Sequence, residues 1–593
     1  MLTNVANLMP KKINCSYLER LTPFDRHFFT GTEKFTYIGS GSLGGKAQGL
    51  AYMKEVLETK IAPKFMPDIN VTIPTLTVIG TDSFDLFLKQ NNLHDIAFSS
   101  MRNDSIAHAF QRAELPAQLV GDLRALIAQV HTPLAVRSSS MLEDAMFEPF
   151  ASVYVTKMIP NNQHDTDTRF RRMVEAIKYI YASTFFENAK NYIQATRHTT
   201  ADEKMAVIIQ EVVGCMANNR FYPHISGVAR SYNFYPMEPA QPEDGVVNLA
   251  LGLGKTIVDE GIAWSYSPAY PQANPPYNSV RDLLKETQKG FWAINMGEPL
   301  EYNPIKEVEY MLRQDLSAAE QDGTLRFIAS TYKPDDDKIV IGVGDRGPRI
   351  INFASILRLE EIRLTDLIKE LLKVCEDVLG SMVEIEFAVT LDEHHARPAR
   401  FGFLQVRPMV VSDAVVDISL SELTEENVVV ASEATLGNGM IDTICDIVYV
   451  KPEVFDVRCT QAIAKELEKI NHELVSSDTP FLVIGFGRWG SSDPSGGIPV
   501  NFGQISGAKA IVEATLPNMN FMLSQGSHFF HNLTSFRVVY LSVEHIGKYK
   551  IAWDWLASQT VVSEEKFVRH VRIPNPLKIR VDGRSGRGVI RHG

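Results

Sequence analysis

The sequence predicts a mixed α+β protein with more than one domain, on three observations. Its 593 residues exceed what one ordinary core organises. A composition of 45% hydrophobic and 22% charged residues is that of a folded globular chain rather than a disordered or collagen-like one. Short β-branched runs also alternate with amphipathic helical stretches along its length. The formal charge of -12, from 59 Lys and Arg against 71 Asp and Glu, disfavours a nucleic-acid polyanion as partner. Cys15, Cys215, Cys375, Cys445 and Cys459 show no CxxC or paired spacing, so neither a disulfide framework nor a zinc site is expected and a reducing, cytoplasmic compartment is. No apolar run approaches the roughly 18 to 20 residues of a membrane span, and Met1 to Cys15 lacks the pattern of a signal peptide.

Taken in order, Phe35 to Ile38 reads as a strand, Gly39 to Gly45 as a Gly/Ser loop, and Lys46 to about Leu57 as an amphipathic helix. Strands follow at Ile73 to Ile79 and Pro133 to Val136, separated by helices around Ser83 to Asn91 and Leu115 to Val130. Residues 166 to 195 are helical in pattern, Met205 to Val213 is a buried strand, and Val246 to Gly252 and Ile339 to Gly344 are further strands. The prolines between Tyr266 and Tyr277 exclude regular helix or central strand and mark an insertion. A helix at Leu364 to Leu379 leads to a hairpin, Val383 to Ala388 and Phe401 to Val406. Residues 1–412 thus form one domain with an insertion near 266–355, and 413–430 form a linker. Residues 431–575 form a smaller α/β domain with strands near 447–450, 480–484 and 537–543, and 576–593 a basic, glycine-rich tail expected to fray.

The pattern G-x-G-x-x-G occurs at Gly39, Gly342 and Gly485, but only the first lies between a strand and a helix whose amides can hold a phosphate. Lys46, on the first turn of that helix, is either a phosphate ligand or a solvated lysine. A P-loop is excluded, because Ser40 stands where its first glycine belongs and Ala47 replaces the metal-binding hydroxyl. A dinucleotide site is disfavoured as well, because no ribose-binding acid is evident in a following βαβ unit.

Arg137 ends an apolar strand, where its guanidinium could bind a phosphate in bidentate fashion or pair with Glu143 or Asp144. In the hairpin, Glu384 and Glu386 share one face, and Gln405 and Arg407 share a face of the next strand. Oxygens from Glu386 and Gln405 suit Mg²⁺, and Arg407 could neutralise a transferring phosphate; the competing expectation is a polar face turned to water.

Together these segments resemble the nucleotide-binding domain shared by phosphoenolpyruvate synthase, pyruvate phosphate dikinase and rifampicin phosphotransferase, an ATP-grasp-like fold of two subdomains. The similarity rests on Gly44-Gly45-Lys46, on the run Ala135 to Ala151 followed by Thr156, and on Ala182 to Phe185 with Ala189 and Tyr192. It continues through Met205 to Val213, Gly252 to Lys255, Glu384 to Ala388 and Leu404 to Pro408. The resemblance implies ATP and Mg²⁺ as cofactors, with phosphate contacts from Lys46, Arg137, Thr156 and Arg407, adenine contacts from Gln210 and Glu211, and magnesium ligands Glu386 and Gln405. Ser152, Val153, Val155 and Lys255 depart from the family pattern, and 266–355 has no obvious counterpart.

Family dikinases carry a histidine on a swivelling domain, and Ser524-Gln525-Gly526-Ser527-His528 resembles that pattern. His528 at a helix start is either a phosphoryl-accepting nucleophile or a packed residue behind the Ser527 cap. The loop Gly485 to Pro499 offers Arg488 and Trp489 to an anionic or ringed acceptor and Asp493 as a base, or it is a glycine turn stapled by Trp489. A (β/α)₈ barrel of about 200 to 250 residues does not fit in the remaining length, so pyruvate is not assumed as substrate. The expected function is an ATP- and Mg²⁺-dependent phosphotransferase acting on an unidentified acceptor, with His528 as a possible relay. The alternative is a nucleotide-binding regulatory or scaffold protein without turnover, and the oligomeric state is left open.

Overall fold

The computed structural model describes residues 21–140, 143, 153–194, 203–234, 236, 239–258, 262–273, 279–285, 287–298, 301–392, 397–409, 416–490, 497–517, 519, 533 and 536–593. Two six-stranded sheets dominate the first 408 residues. The first runs in the order Thr22–Pro23, Phe35–Ile38, Leu76–Ile79, Met205–Glu211, Leu134–Ser140, Thr156–Ile159. The second runs in the order Trp264–Tyr266, Val246–Ala250, Ile225–Arg230, Val383–Thr390, Ala399–Pro408, Ile69–Thr72.

Strand alternation explains how the first sheet packs. Leu134 and Val136 join Val207 and Ile209 in a core with Leu123, Met173, Ile177 and Ile180 of the helices Ala117–Gln129 and Thr166–Ser183. On the opposite face, Ala206 and Ile208 join a second core with Ala47, Leu50 and Met53 of the helix Gly44–Val56 and with Phe403 and Val406 of the second sheet. The Gly44–Val56 helix therefore shares one core with both sheets, and its N-terminus lies beside the Arg137 strand.

The stretch read as an insertion is built as strands. Gly290–Asn295 and Met311–Asp315 extend the hairpin Cys215–Ala217 and Arg220–Tyr222 into a four-stranded sheet. Ala329–Lys333, Lys338–Ile341 and Arg349–Ile351 form a separate three-stranded sheet.

Beyond residue 430 lies a seven-stranded sheet whose middle strands, Asp446–Val450, Phe481–Phe486, Ala508–Ala514 and Val539–Val543, are parallel neighbours. The helix Thr460–Ser476 makes the first crossover. The tail departs from expectation. Lys578–Asp582 and Arg587–Arg591 form a hairpin in a four-stranded sheet with Val428–Ser432 and Asn438–Ile441. Alternation buries Ile579 and Val581, while Arg580 and Arg591 pair with Glu422, and Arg587 donates to Ile418 O at 3.0 Å. The supposed linker is thereby held to the chain end: Val416 and Ile418 are buried with Val589. Among the described residues no helix is long and apolar enough to cross a membrane.

Candidate functional site

The glycine loop is shaped by its backbone. Gly44 has φ +75°, and a Cβ there would lie 1.7 Å from the carbonyl oxygen of Ser139, so only glycine allows the loop to approach that strand. Ser139 Oγ then donates to Leu43 O at 2.8 Å and accepts from the amide of Ala47 at 3.1 Å, tying the helix start to the Arg137 strand. Lys46 projects from this first turn to Ser138 Oγ at 3.3 Å and to the buried carboxylate of Glu143. Glu143 in turn accepts from Ser138 Oγ at 2.9 Å.

Arg137 is the hub of the site. Its guanidinium donates to Gln210 Oε1 at 3.2 Å, to Leu404 O at 3.0 Å and to Gln405 Oε1 at 2.8 Å, and lies 3.7 Å from Glu386 Oε2. Among the described residues the carboxylate within pairing distance of Arg137 is Glu386 of the second sheet, which was not among the expected partners, while Glu143 pairs with Lys46 and Asp144 lies outside the described residues. Gln210 is buried, and its Nε2 finds no hydrogen-bond partner among the described residues. Glu211 faces the opposite side of its strand, where its carboxylate accepts from Thr132 Oγ1 at 2.8 Å. The structure therefore brings Gln210, but not the Glu211 side chain, to the Arg137 face.

In the hairpin, Glu384 stands opposite Arg407 and Glu386 opposite Gln405, with a bulge immediately after Glu386. Arg407 donates from Nε to Glu384 Oε1 at 2.6 Å and from a terminal nitrogen to Glu386 Oε1 at 3.0 Å. On the other side of Glu384, Arg230 donates to Oε2 at 2.5 Å. Arg230, Glu384 and Arg407 form a row across three strands that the sequence reading missed for Arg230 and left without a role for Glu384. The alternation of Ser226, Val228 and Arg230 was the available signal, but the partner lies 154 residues away. The expectation of a water-facing polar hairpin fails for Glu384, Gln405 and Arg407, which are all buried.

Thr156 stands directly across from Arg137, so the two share a face. Two residues further along each strand the same face turns apolar: Ala135 clusters with Val212, Leu253 and Ile294, and Met158, Phe221, Trp292 and Met296 pack against them. A polar end rich in guanidinium and carboxylate thus adjoins an apolar floor, the arrangement a ligand with a flat ring and a polyanionic tail requires.

The donor chemistry fits a hard cation. Glu386 and Gln405 stand opposite each other on adjacent strands, and in this structure both reach the Arg137 guanidinium, which a cation would have to displace. Among the described residues no group of three or more His, Cys, Asp or Glu could hold a metal by itself. Magnesium takes oxygen ligands, and Glu386 and Gln405 are the residues that would hold it here.

The family model for the AMP/ATP-binding domain of pyruvate phosphate dikinase matches residues 40–427. The chain belongs to this family. No curated protein matches the chain. Membership in the pyruvate phosphate dikinase family makes this an ATP-binding chain of a phosphotransferase family, and the match takes in the glycine loop, Arg137, Gln210 and the hairpin. It ends before the seven-stranded sheet and does not reach the C-terminal motifs.

There the structure decides one alternative. Trp489 is fully buried, donates its indole N–H to Val512 O at 3.2 Å and packs where a Cβ on Gly485 would sit 2.5 Å away. It is the staple of its loop and has no face to offer a ringed acceptor. Asp493, His528, Asp144 and Ser152 lie outside the described residues.

Proposed function

We propose that the protein is an ATP- and Mg²⁺-dependent phosphotransferase whose nucleotide lies between the two six-stranded sheets, an ATP-grasp-like arrangement of two subdomains. The observation that carries this is Arg137, which reaches from the first sheet to Gln210, Gln405 and Glu386 and so joins the two sheets at one point. The adenine ring rests on the floor of Ala135, Met158, Val212 and Ile294, with the Gln210 amide beside it and the backbone around Glu211 at its edge. The triphosphate extends toward Arg137, Thr156, Lys46 and Arg407.

Magnesium, when bound, would supply positive charge that offsets the charge of the phosphates. Glu386 and Gln405 would hold it. Lys46 exchanges Glu143 for a phosphate oxygen. Arg407, oriented by Glu384, presents its guanidinium to the phosphate being transferred, and catalysis is mostly positioning and charge stabilisation. The acceptor's nucleophile forms a bond to phosphorus as the bond to the departing nucleotide breaks. His528 is the candidate nucleophile within the chain.

Incubation of purified protein with Mg²⁺ and ATP labelled separately at the β and γ phosphates tests the reading. Release of ADP or AMP is expected, and Arg137→Ala and Glu386→Gln are each expected to lower turnover at least about 100-fold. Wild-type rates in both variants would refute the assignment. Acid-labile label on the protein that disappears in His528→Ala would establish the relay. Tight ATP binding with neither product nor label would instead favour a nucleotide-responsive regulatory protein.

A further inference from the structure

Three charged side chains stand in register across the second sheet. Arg230 is directly opposite Glu384 on the next strand, and Glu384 is opposite Arg407 on the strand beyond. Residues paired across antiparallel strands share a face, and so do residues two apart on one strand. Glu386 and Gln405, two positions along from Glu384 and Arg407, therefore lie on this same face, and both reach Arg137. The two oxygens of Glu384 are divided between the arginines: Oε2 accepts from Arg230 Nε at 2.5 Å, and Oε1 from Arg407 Nε at 2.6 Å. The Glu384 side chain is 1% exposed, so bulk water has no access to take over the contact with Arg230. A terminal nitrogen of Arg407 extends to Glu386 Oε1 at 3.0 Å, and Glu386 Oε2 lies 3.7 Å from Arg137. Charge thus alternates from Arg230 through Glu384, Arg407 and Glu386 to Arg137, with Arg407 at the centre.

We propose that Arg230 is a positioning residue: by holding Oε2 of Glu384 it keeps Arg407 in place at the phosphate end of the cleft and strengthens binding of the outer phosphates through Arg407. This rests on the reading above of Arg407 as a phosphate ligand. Two effects act in the same direction. The hydrogen bond from Arg230 Nε restrains the plane of the Glu384 carboxylate, and so the angle at which Oε1 meets Arg407. Arg230 also brings a positive charge to that carboxylate. Taking it away makes Glu384 attract Arg407 more strongly and lowers the positive potential that arriving phosphates meet, an effect little screened among buried groups. On the same reading Arg407 faces the phosphate being transferred. AMP lacks that phosphate, so its binding does not depend on Arg230.

Calorimetric titration of the full chain in Mg²⁺, once with a β,γ-imido ATP analogue and once with AMP, tests this. Arg230→Gln is expected to weaken the analogue about tenfold while AMP binds within about threefold of wild type. A merely structural role would weaken both alike. Melting without nucleotide checks the fold, and Arg230→Met, of similar length and without charge, is the second variant with the same expectation. A double-mutant cycle tests the route: in an Arg407→Gln background, which itself loses analogue affinity, adding Arg230→Gln is expected to cost less than about threefold more. Unchanged analogue affinity in both Arg230 variants, equal weakening of analogue and AMP, or fully additive losses in the cycle overturns the proposal. Arg407→Gln alone separates the two levels: if it binds the analogue as wild type does, the reading of the cleft itself fails. If Arg407→Gln loses binding while the Arg230 variants keep the wild-type affinity, only the role of Arg230 fails.

Discussion

At the scale of single residues, the site was legible where its residues sit close together in sequence. Lys46 beside its glycines, Arg137 at a strand end, and the alternating Glu384, Glu386, Gln405 and Arg407 all announce themselves by local pattern. What was not legible is which charge holds which. Glu384 reads like its neighbour Glu386, yet it is sealed between Arg407 and Arg230, a pairing visible only once strands 154 residues apart lie side by side. This separates two kinds of variant. Glu384→Ala removes the buried carboxylate that Arg230 and Arg407 share and is expected to cost about 3–5 kcal/mol of stability in urea unfolding, besides any loss of activity. Arg137→Ala, expected to lower turnover at least about 100-fold, is expected to leave stability within about 1 kcal/mol, because Gln210 and Gln405 are neutral and Glu386 keeps Arg407. Equal destabilisation by the two would contradict this division. A second residue gives a pH signature. Burial depresses His224 from an ordinary imidazole value to about 4, and its Nδ1 accepts from the amide of Leu391 at 3.2 Å. The unfolded chain takes up a proton near pH 6.5 and the folded one does not, so stability falls as pH drops from about 6.5 toward 4. Between pH 7.5 and 5, His224→Gln is expected to lose about 2 kcal/mol less stability than wild type, measured as the difference between the two proteins' urea midpoints at each pH.

At the scale of elements, the helices and central strands followed from periodicity, and the helix Leu364–Leu379 has the predicted ends. Edges and junctions did not follow. The helix expected to begin at Lys46 begins at Gly44, because its first turn is organised by Ser139 of a distant strand rather than by a cap of its own. Gly44 tests this dependence. Alanine there meets both a left-handed φ and the carbonyl of Ser139 at 1.7 Å, so the loop must retreat from the strand and carry Lys46 with it. Gly44→Ala is expected to lower stability by more than about 1 kcal/mol and to weaken nucleotide binding, whereas Gly380→Ala, also at positive φ but with open space around it, affects only stability. If both variants bind nucleotide equally well, the glycine loop does not position Lys46. The residues at 576–593 are the clearest misreading at this scale. Glycine and arginine suggested a frayed end, but Ile579 and Val581 alternate as a strand should, Val589 and Ile590 are buried on the facing strand, and the arginines find Glu422 across about 160 residues of chain.

At the scale of the whole molecule, the sequence suggests two domains on a linker, while the largest hydrophobic core is continuous from the helices over the first sheet into the seven-stranded sheet. The junction is aromatic. Tyr192 of the helix Glu187–Gln194 lies 5.7 Å from Phe502 and 5.5 Å from Phe536, and those two rings stack at 4.7 Å. Hydrogen bonds from Asn191 to Glu468 and from Asn501 to Asn188 surround it. Composition could not reveal this, because a tyrosine in an amphipathic helix looks the same whether it packs within its own domain or against another. A C-terminal unit held this way, with its preceding linker bound to the closing hairpin through Glu422, is not free to swing in this arrangement. Any reaction step that needs the C-terminal unit to move would require the aromatic junction to open. Phe502→Ala is therefore informative for both stability and turnover. It removes a buried ring from the junction and is expected to cost about 3–5 kcal/mol. If the core is one unit, tryptophans on both sides, Trp292 in the first half and Trp489 in the second, report a single shared unfolding transition in wild type. In Phe502→Ala the Trp489 signal is expected to separate and unfold first. Should turnover rise in this variant while stability falls, the junction is a restraint on the relay; should both fall together, the junction holds the C-terminal unit where the reaction needs it.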